Sequence, residues 1–310
     1  MLEQLPLIQD IDNEKNQGET SSLHLVYPQW QGGSSLNYLS IPELNQQDAT
    51  SGYYLGAQLL NFLAPKSGQT TVQVPVSLDM NRKVENGIVS YEAIVSQTKE
   101  ALDILNTKKP QRIVTFGGDC AVSVVPFTYL ASQYANDIAM VWIDAHPDIS
   151  IPGDDFDGYN AMALTACLGM GDEKIIDMLP AKIDASNVLT VGVRAWETLG
   201  GDIEERQTKL GIKNLPVSKV SGTSTTIMDW LKSKEISKVF VHFDLDALDP
   251  NELIAAVAAD PDGLKIADAV RIINDIASEY NLVGLTFAEP MPRTAIKIRN
   301  MLEQLPMLSK

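Results

Sequence analysis

The sequence has few cysteines, few basic residues and no long apolar segment. Its two cysteines, Cys120 and Cys167, imply no disulfide framework and are compatible with a reducing compartment. Lys and Arg number 24 against 40 Asp and Glu, for a net charge of -16, which argues against nucleic acid and anionic membranes as partners. The apolar run at 253–259 is far shorter than the ~20 residues of a membrane span, and the first residues lack a signal-peptide pattern. We therefore expect a cytoplasmic protein.

Apolar runs that read as strands alternate with helical patterns along the chain. The hydrophobic content of 45% is that of an ordinary globular protein with a sizeable core. Strands are predicted at 23–27, 71–77, 113–116, 138–143, 188–193, 239–243 and 282–287, and helices at 54–62, 90–105, 121–134, 162–168, 173–179, 224–233 and 266–280. Such alternation predicts a mostly parallel sheet covered on both faces, with ligands at the carboxyl ends of its strands. Because no linker interrupts the pattern, we expect residues 1–310 to form a single domain.

Two acidic residues and a histidine follow the apolar run at 138–143. They are Asp144, His146 and Asp148, all of them residue types that bind metals. Since alternate side chains of an extended segment share a face, the sequence predicts that these three point the same way.

A second acidic pair, Asp244 and Asp246, follows the run at 239–243. The same alternation places both carboxylates on one face, and neighbouring strands would then bring four carboxylates and an imidazole together. Like charges packed that closely disfavour ionisation unless cations neutralise them, so the pattern favours a site for two divalent metals. The alternative is that these Asp residues cap helices or turns, as Asp often does after a strand.

Three segments together resemble the ureohydrolase superfamily, which includes arginase, agmatinase and formiminoglutamase. They are Gly-Gly-Asp-Cys at 117–120, Asp-Ala-His-Pro-Asp at 144–148 and Phe-Asp-Leu-Asp-Ala-Leu-Asp-Pro at 243–250. The resemblance implies an arginase-like three-layer α/β/α fold with a mostly parallel sheet. It also implies two Mn²⁺ ions bridged by a water or hydroxide that attacks a guanidinium or amidine carbon, and assembly into trimers or hexamers.

Carried over residue by residue, the resemblance implies ligands for two metals, a general base and a substrate-binding carboxylate. One metal would be held by Asp144, His146, Asp244 and Asp246, and the other by Asp144, Asp148, Asp244 and Cys120. Paired cations would lower the pKa of the water between them, and Asp148 lies where the family keeps its general base. Glu289 matches the acidic residue that family members place against the cationic guanidinium of the substrate. The alternative for Glu289 is a solvated residue before Pro290.

The chain departs from the family pattern at Cys120, where the family usually has His. Manganese prefers oxygen and imidazole to a thiolate, so we expect the site beside Cys120 to be empty or to hold another divalent metal. The alternative is that Cys120 is a buried apolar residue without metal contact, as many free cysteines are.

Two further departures concern the proton shuttle and the substrate. Asn160 replaces a His that commonly carries protons to the leaving amine, and an amide does not titrate near neutral pH. Ser150 replaces an Asn that contacts the amino-acid end of arginine, which argues against arginine itself. His242 precedes Asp244 by two residues, or ~6.6 Å at ~3.3 Å per residue, and we expect it either to support the ligands from behind or simply to pack in the core.

These features together predict a metal-dependent hydrolase of a linear carbon-nitrogen bond in a small cationic guanidino or amidino compound. The first alternative is a weakly active or non-catalytic metal-binding member of the family, because a ligand and a proton shuttle are altered. The second is a deacetylase-like activity on a related metal fold. Such enzymes use catalytic histidines beside the metal, whereas this chain has only three histidines.

Overall fold

The computed structural model describes residues 21–32, 46–65, 68–135, 137–196, 202–293 and 295. Its strands are β1 Ser22–Tyr27, β2 Thr70–Gln73, β3 Val84–Glu85, β4 Ile88–Val89, β5 Arg112–Gly117, β6 Ile138–Ile143, β7 Val188–Val191, β8 Lys213–Leu215, β9 Lys238–Asp244 and β10 Asn281–Ala288. Its α-helices are α1 Gln46–Leu63, α2 Tyr91–Lys108, α3 Val124–Tyr134, α4 Ala163–Cys167, α5 Glu173–Ile176, α6 Ile203–Leu210, α7 Thr225–Lys232 and α8 Ile266–Glu279. None of the described helices is long and apolar enough to cross a membrane.

In the described part of the chain, eight strands form one sheet in the order β2-β1-β5-β10-β9-β6-β7-β8. Every neighbouring pair in it is parallel. Alternate residues of the central strands enter opposite apolar cores: Met140 and Trp142 pack on one side with α2 and α3, whereas Val141 and Ile143 pack on the other with α7 and α8. Burial on both faces explains the near-continuous apolar runs. The predicted three-layer α/β/α fold is confirmed.

The register of the central strands places their carboxyl ends side by side. On the shared edge, Phe116 of β5 is opposite Phe287 of β10, Ala288 of β10 is opposite Asp244 of β9, and Phe243 of β9 is opposite Ile143 of β6. The segments that carry the candidate ligands leave the sheet at this edge. Their proximity therefore follows from the strand order and not from the chain order.

Two elements differ in their bounds from the sequence pattern. The helix predicted at 90–105 begins at Tyr91, and the preceding Ser90 has a left-handed backbone with φ of 57° and makes no side-chain cap. The strand predicted at 71–77 ends at Gln73 and lies at the edge of the sheet. Pro126 lies in the first turn of α3, which follows a 3-10 turn at Cys120–Ser123.

The sequence patterns missed the β3-β4 hairpin, α6 and β8. An Asn86-Gly87 pair joins the two short hairpin strands with positive φ at both residues, which is the usual chemistry of a two-residue hairpin turn. The Asn-Gly pair could have identified this hairpin from the sequence. Helix α6 has a polar sequence with only two buried residues, Ile203 and Gln207, so it offers little hydrophobic periodicity.

Helix α6 holds the loop that follows the first acidic segment. Its Arg206 donates through Nη2 to Asp154 Oδ1 at 2.9 Å and through Nη1 to the carbonyl oxygen of Ile149 at 2.9 Å. Asp154 also accepts from the backbone N–H of Ile151 at 2.9 Å. The Arg206 contact holds the pKa of the Asp154 carboxyl below its usual value. A two-point ion pair thus fixes the backbone just beyond Asp148.

We expect Asp154→Asn to lower the free energy of unfolding at pH 7 by about 1.5–3 kcal/mol, the usual range for hydrogen bonds to a charged group. Because the pKa of Asp154 is lowered by folding, its contribution is present above the unfolded pKa near ~4 and is lost as the pH falls below it. Urea unfolding at pH 7 and at about pH 3 should show the difference from wild type shrinking in acid. Lys209→Gln, which breaks an exposed pair with Glu205, is the control and should cost little. An equal difference at both pH values would contradict a role for the ionised pair.

Candidate functional site

Two tight turns at the ends of β6 and β9 position the acidic residues. The Asp144 side chain accepts from the backbone N–H of His146 at 2.6 Å, and the Asp244 side chain accepts from that of Asp246 at 2.6 Å. Asp246 lies in a 3-10 turn that Asp244 caps. The prediction that the extended alternation continues past the strands is therefore wrong, since Asx-type turns bring the side chains together. The capping alternative is correct locally, yet it does not exclude a shared site.

The first ligand set consists of Asp144, His146 and Asp246, whose candidate ligand atoms lie within 4.8 Å of one another. His146 Nδ1 is 2.9 Å from Asp246 Oδ2 and 3.6 Å from Asp144 Oδ1. Asp246 Oδ1 accepts from the backbone N–H of Ala145 at 3.1 Å, which ties the β6 and β9 turns together. These three predicted ligands thus meet on one side of the cluster.

The second ligand set contains Cys120, Asp144, Asp244 and a residue that was not predicted as a ligand, His242. All four side chains are buried. Cys120 Sγ donates to Asp244 Oδ2 at 2.7 Å. Cys120 is thus packed in the core and also in polar contact with the cluster; its ligation of a metal stays a prediction.

His242 packs on Trp142, as expected of a packed residue, and its ring also faces the acidic cluster. Its Nε2 atom is 3.7 Å from Asp144 Oδ2, and its Nδ1 atom is 2.8 Å from Ser123 Oγ. His242 does lie two residues before Asp244 along β9, but its imidazole side chain is long enough to reach the cluster from there. Its position two residues before Asp244 was the signal that could have identified it.

Asp148 stands outside both ligand sets. It is buried, and its Oδ2 atom has no hydrogen-bond partner among the described residues. Its backbone has a φ of 49°, an unfavourable left-handed conformation for a residue with a Cβ. Burial raises the pKa of Asp148 well above its usual range, with Asp144 adding to the effect. A strained residue with an unpartnered buried oxygen is typical of a functional site.

Glu289 is buried, which overturns the solvated alternative. It follows β10 with a φ of 60°, and its Oε1 atom accepts from the backbone N–H of Cys120 at 3.3 Å. Burial raises the pKa of Glu289 to about 8. An ionised Glu289 therefore needs a positive partner.

The electrostatics of the cluster show a deficit of positive charge. Burial raises the pKa of Asp244 well above its usual range, and the neighbouring Asp246 and Asp144 raise it further. Burial and Asp246 likewise raise the pKa of Asp144 to about 6. Burial alone lowers the pKa of His146, but Asp246 and Asp144 overcome it and raise that pKa well above 6.5. Divalent cations would relieve this repulsion, so the donor chemistry and the unpartnered Asp148 Oδ2 fit a metal site.

The other two altered positions, Ser150 and Asn160, belong to the loop and the 3-10 turn that follow β6. Ser150 is fully buried and its hydroxyl has no hydrogen-bond partner among the described residues, while its carbonyl oxygen accepts from Thr165 Oγ1 at 2.6 Å. The Oδ1 atom of Asn160 is also buried without a partner in the described part of the chain.

Two residues that the sequence patterns did not identify as functional support the site. Arg194 donates to the backbone carbonyl oxygens of Asp246 at 3.0 Å and Asp260 at 2.8 Å. The Asp260 Oδ2 atom is in turn 3.7 Å from His146 Nε2. In the sequence, Arg194 is only the residue after the predicted strand at 188–193, and no local pattern shows which carbonyl groups it reaches.

Comparison with known proteins finds arginases and an agmatinase. A family model described as the arginase family matches residues 60–302. An arginase of Staphylococcus aureus is 26% identical over 190 residues, covering 57% of this chain and 60% of that protein. An agmatinase of Chromobacterium violaceum is 28% identical over 183 residues, covering 58% of this chain and 51% of that protein. The chain thus spans less than two thirds of the length of these relatives.

Solved structures show the same fold. An arginase of Entamoeba histolytica in complex with L-ornithine superimposes with a TM-score of 0.72 at 17% identity, covering 88% of this chain and 92% of that chain. At this identity the likeness shows the fold alone.

We expect Arg194→Gln to weaken divalent-metal binding by ~10–100-fold, as loss of a residue that orients metal ligands typically does. The reason is that Arg194 holds the backbone of Asp246, which contacts His146. Titration with Mn²⁺ or Co²⁺ followed by elemental analysis measures the effect.

The matched control is Arg271→Gln. Arg271 also donates to a carbonyl oxygen, that of Val220 at 2.6 Å, and pairs with Asp268, and none of these is a candidate ligand. It should lower stability without changing metal affinity. Equal losses of metal affinity in both variants would show that Arg194 acts only through general stability.

Proposed function

This chain belongs to the arginase family, and we propose that it is a metal-dependent hydrolase of a linear carbon-nitrogen bond in a guanidino or amidino compound. The observation that carries the proposal is the cluster of buried Asp144, Asp244 and Asp246 with His146 at the carboxyl edge of β6 and β9. Such a concentration of buried carboxylates is costly without cations.

The residues that would hold metal are those of the two ligand sets, with Asp144 shared between them. Divalent ions bound there would supply a polarised water of lowered pKa and positive charge for the transition state. The sequence predicted Mn²⁺, and the carboxylates and His146 of the first set suit it. The thiol of Cys120 in the second set suits a softer ion. Ligation of the second metal by Asp148 stays a prediction.

Asp148 is proposed as the general base. Its buried and unpartnered Oδ2 atom would be able to take a proton from a nucleophilic water and to pass it on. The loop that carries Asp148 is held by the Asp154–Arg206 pair. Asp148 is therefore both strained and fixed, as a positioned proton-transfer group requires.

Glu289 is proposed to bind the cationic end of the substrate. Its carboxyl is buried beside Cys120, where a guanidinium or amidinium would stabilise the ionised form. The net charge of -16 favours the approach of small cations. The Entamoeba histolytica arginase was solved with L-ornithine, a cationic amino acid, whereas Ser150 here argues against an amino-acid tail of the same kind.

The alternative is a weakly active or non-catalytic metal-binding member of the family. Cys120 and Asn160 favour it, because the first alters a ligand and the second removes a titrating donor for the leaving amine. Release of urea or ammonia from a panel of guanidino compounds, measured with Mn²⁺, Co²⁺ and Zn²⁺ separately, distinguishes the two. The single domain of residues 1–310, the cytoplasmic location and the trimeric or hexameric assembly stay predictions.

We expect Asp148→Asn to lower kcat by ~10²–10⁴-fold, the usual contribution of a general acid or base. The measurement is steady-state turnover of a substrate found in the panel, at full metal loading. Asp268→Asn replaces another buried aspartate, paired with Arg271 outside the site, and should leave kcat unchanged. A kcat of Asp148→Asn within a few-fold of wild type would assign the base elsewhere.

We expect Glu289→Gln to raise the KM of a cationic substrate by ~10–100-fold, because a charged hydrogen bond in a buried site contributes about 1.5–3 kcal/mol. Glu204→Gln, at an exposed position of α6, should not change KM. An unaltered KM in Glu289→Gln would rule out contact with the cation.

A further inference from the structure

We infer that His242 is a ligand of the metal beside Cys120, so that this site is built from a thiolate, an imidazole and the Asp144 and Asp244 carboxylates. The inference rests on the proposed metal dependence, but not on any particular reaction. It makes the two sites chemically unlike: the first set offers carboxylates and His146, whereas the second adds sulfur.

The imidazole of His242 is fixed in orientation by its neighbours. It is fully buried in β9 and stacks on Trp142 of the adjacent strand β6, with ring centroids 3.6 Å apart and an interplanar angle of 7°. The Trp142 indole N–H donates to Asp144 Oδ2 at 3.0 Å. The same tryptophan therefore aligns both the imidazole and one of the shared carboxylates.

One ring nitrogen is held and the other is unpartnered. His242 Nδ1 is 2.8 Å from Ser123 Oγ. His242 Nε2 is buried without a hydrogen-bond partner among the described residues, which is costly for a polar atom. When Nδ1–H donates to Ser123, the Nε2 lone pair faces the cluster. In metal-binding histidines one ring nitrogen usually donates a hydrogen bond to a neighbouring group while the other binds the metal.

The distances suit a small ion. The candidate ligand atoms of Cys120, Asp144, His242 and Asp244 all lie within 4.8 Å of one another, and ligands around a tetrahedral ion with bonds of ~2.0–2.3 Å are separated by roughly 3.3–3.8 Å. Small side-chain shifts therefore bring the atoms to an ion. On binding, the Cys120 thiol releases its proton to solvent and its contact with Asp244 Oδ2 opens.

The donor set predicts metal preference. Thiolate and imidazole favour Zn²⁺ and Co²⁺ over Mn²⁺, both by ligand type and by the general order of affinities. The imidazole that the family usually supplies from position 120 would here come from position 242, on a neighbouring part of the same site. The second site is thus expected to bind Zn²⁺ or Co²⁺ more tightly than Mn²⁺, instead of being empty.

The experiment is titration of the metal-free chain with Co²⁺. Cobalt reports thiolate ligation by charge-transfer absorption and is counted by elemental analysis. His242→Phe keeps a ring on Trp142 but removes the ligand, and it should bind one fewer Co²⁺ per chain and lose the thiolate band. Ser123→Ala keeps Nε2 and should weaken that ion by ~10–100-fold. His24→Phe, the same substitution in β1 beside Phe116, is the matched control and should behave as wild type.

Unchanged stoichiometry, affinity and absorption in His242→Phe would overturn the inference and leave His242 as a packing residue. If His242→Phe fails to fold, as judged by circular dichroism, NMR of cobalt-loaded wild type decides instead. Shifted imidazole N–H signals should then come from both His242 and His146, and a signal from His146 alone overturns the inference. A cobalt site with these properties in a chain that hydrolyses no guanidino compound would contradict the proposed function and leave this inference intact.

Discussion

Repulsion among buried carboxylates is the constraint on which the site depends. Asp144, Asp244 and Asp246 lie within hydrogen-bonding networks that hold them close together in a region sheltered from water. In such a region burial makes a carboxylate harder to ionise and neighbouring carboxylates add to the cost, so the pKa values of Asp144 and Asp244 are raised by burial first and by the nearby aspartates second. The packed strands and the backbone hydrogen bonds at their ends keep these carboxylates in place, and bound cations would neutralise them.

The parallel sheet holds the acidic residues close together because they directly follow strands that are packed on both faces. Residues such as Val141 and Phe240 are fully buried in the two cores, so the strand ends are held by packing on both faces. Beyond them, backbone N–H groups bind the carboxylates, and Arg194 binds carbonyl groups of the neighbouring loops. Positions with positive φ at Asp148 and Glu289 show that local strain is tolerated there.

Side chains from different strands of the sheet reach the same pair of carboxylates, so a ligand can come from more than one strand. Cys120 follows β5 and His242 lies in β9, yet both approach Asp144 and Asp244 at the same edge of the sheet. A thiolate at one position and an imidazole at the other would conserve the number of donors while altering the metal preferred. The family fold therefore does not by itself determine which metal, or which rate, this chain has.

The sequence by itself determined the fold class and most of the candidate site, because buried parallel strands appear as apolar runs and acidic residues directly after two of them mark the carboxyl edge. Only the tertiary structure decided that tight turns bring Asp144 and Asp246 to His146. It alone also decided that His242 faces Asp144 of β6 and that Arg194 reaches the backbone of Asp246. No periodicity encodes these contacts, because they depend on strand order and side-chain length, and they join residues that are distant in sequence.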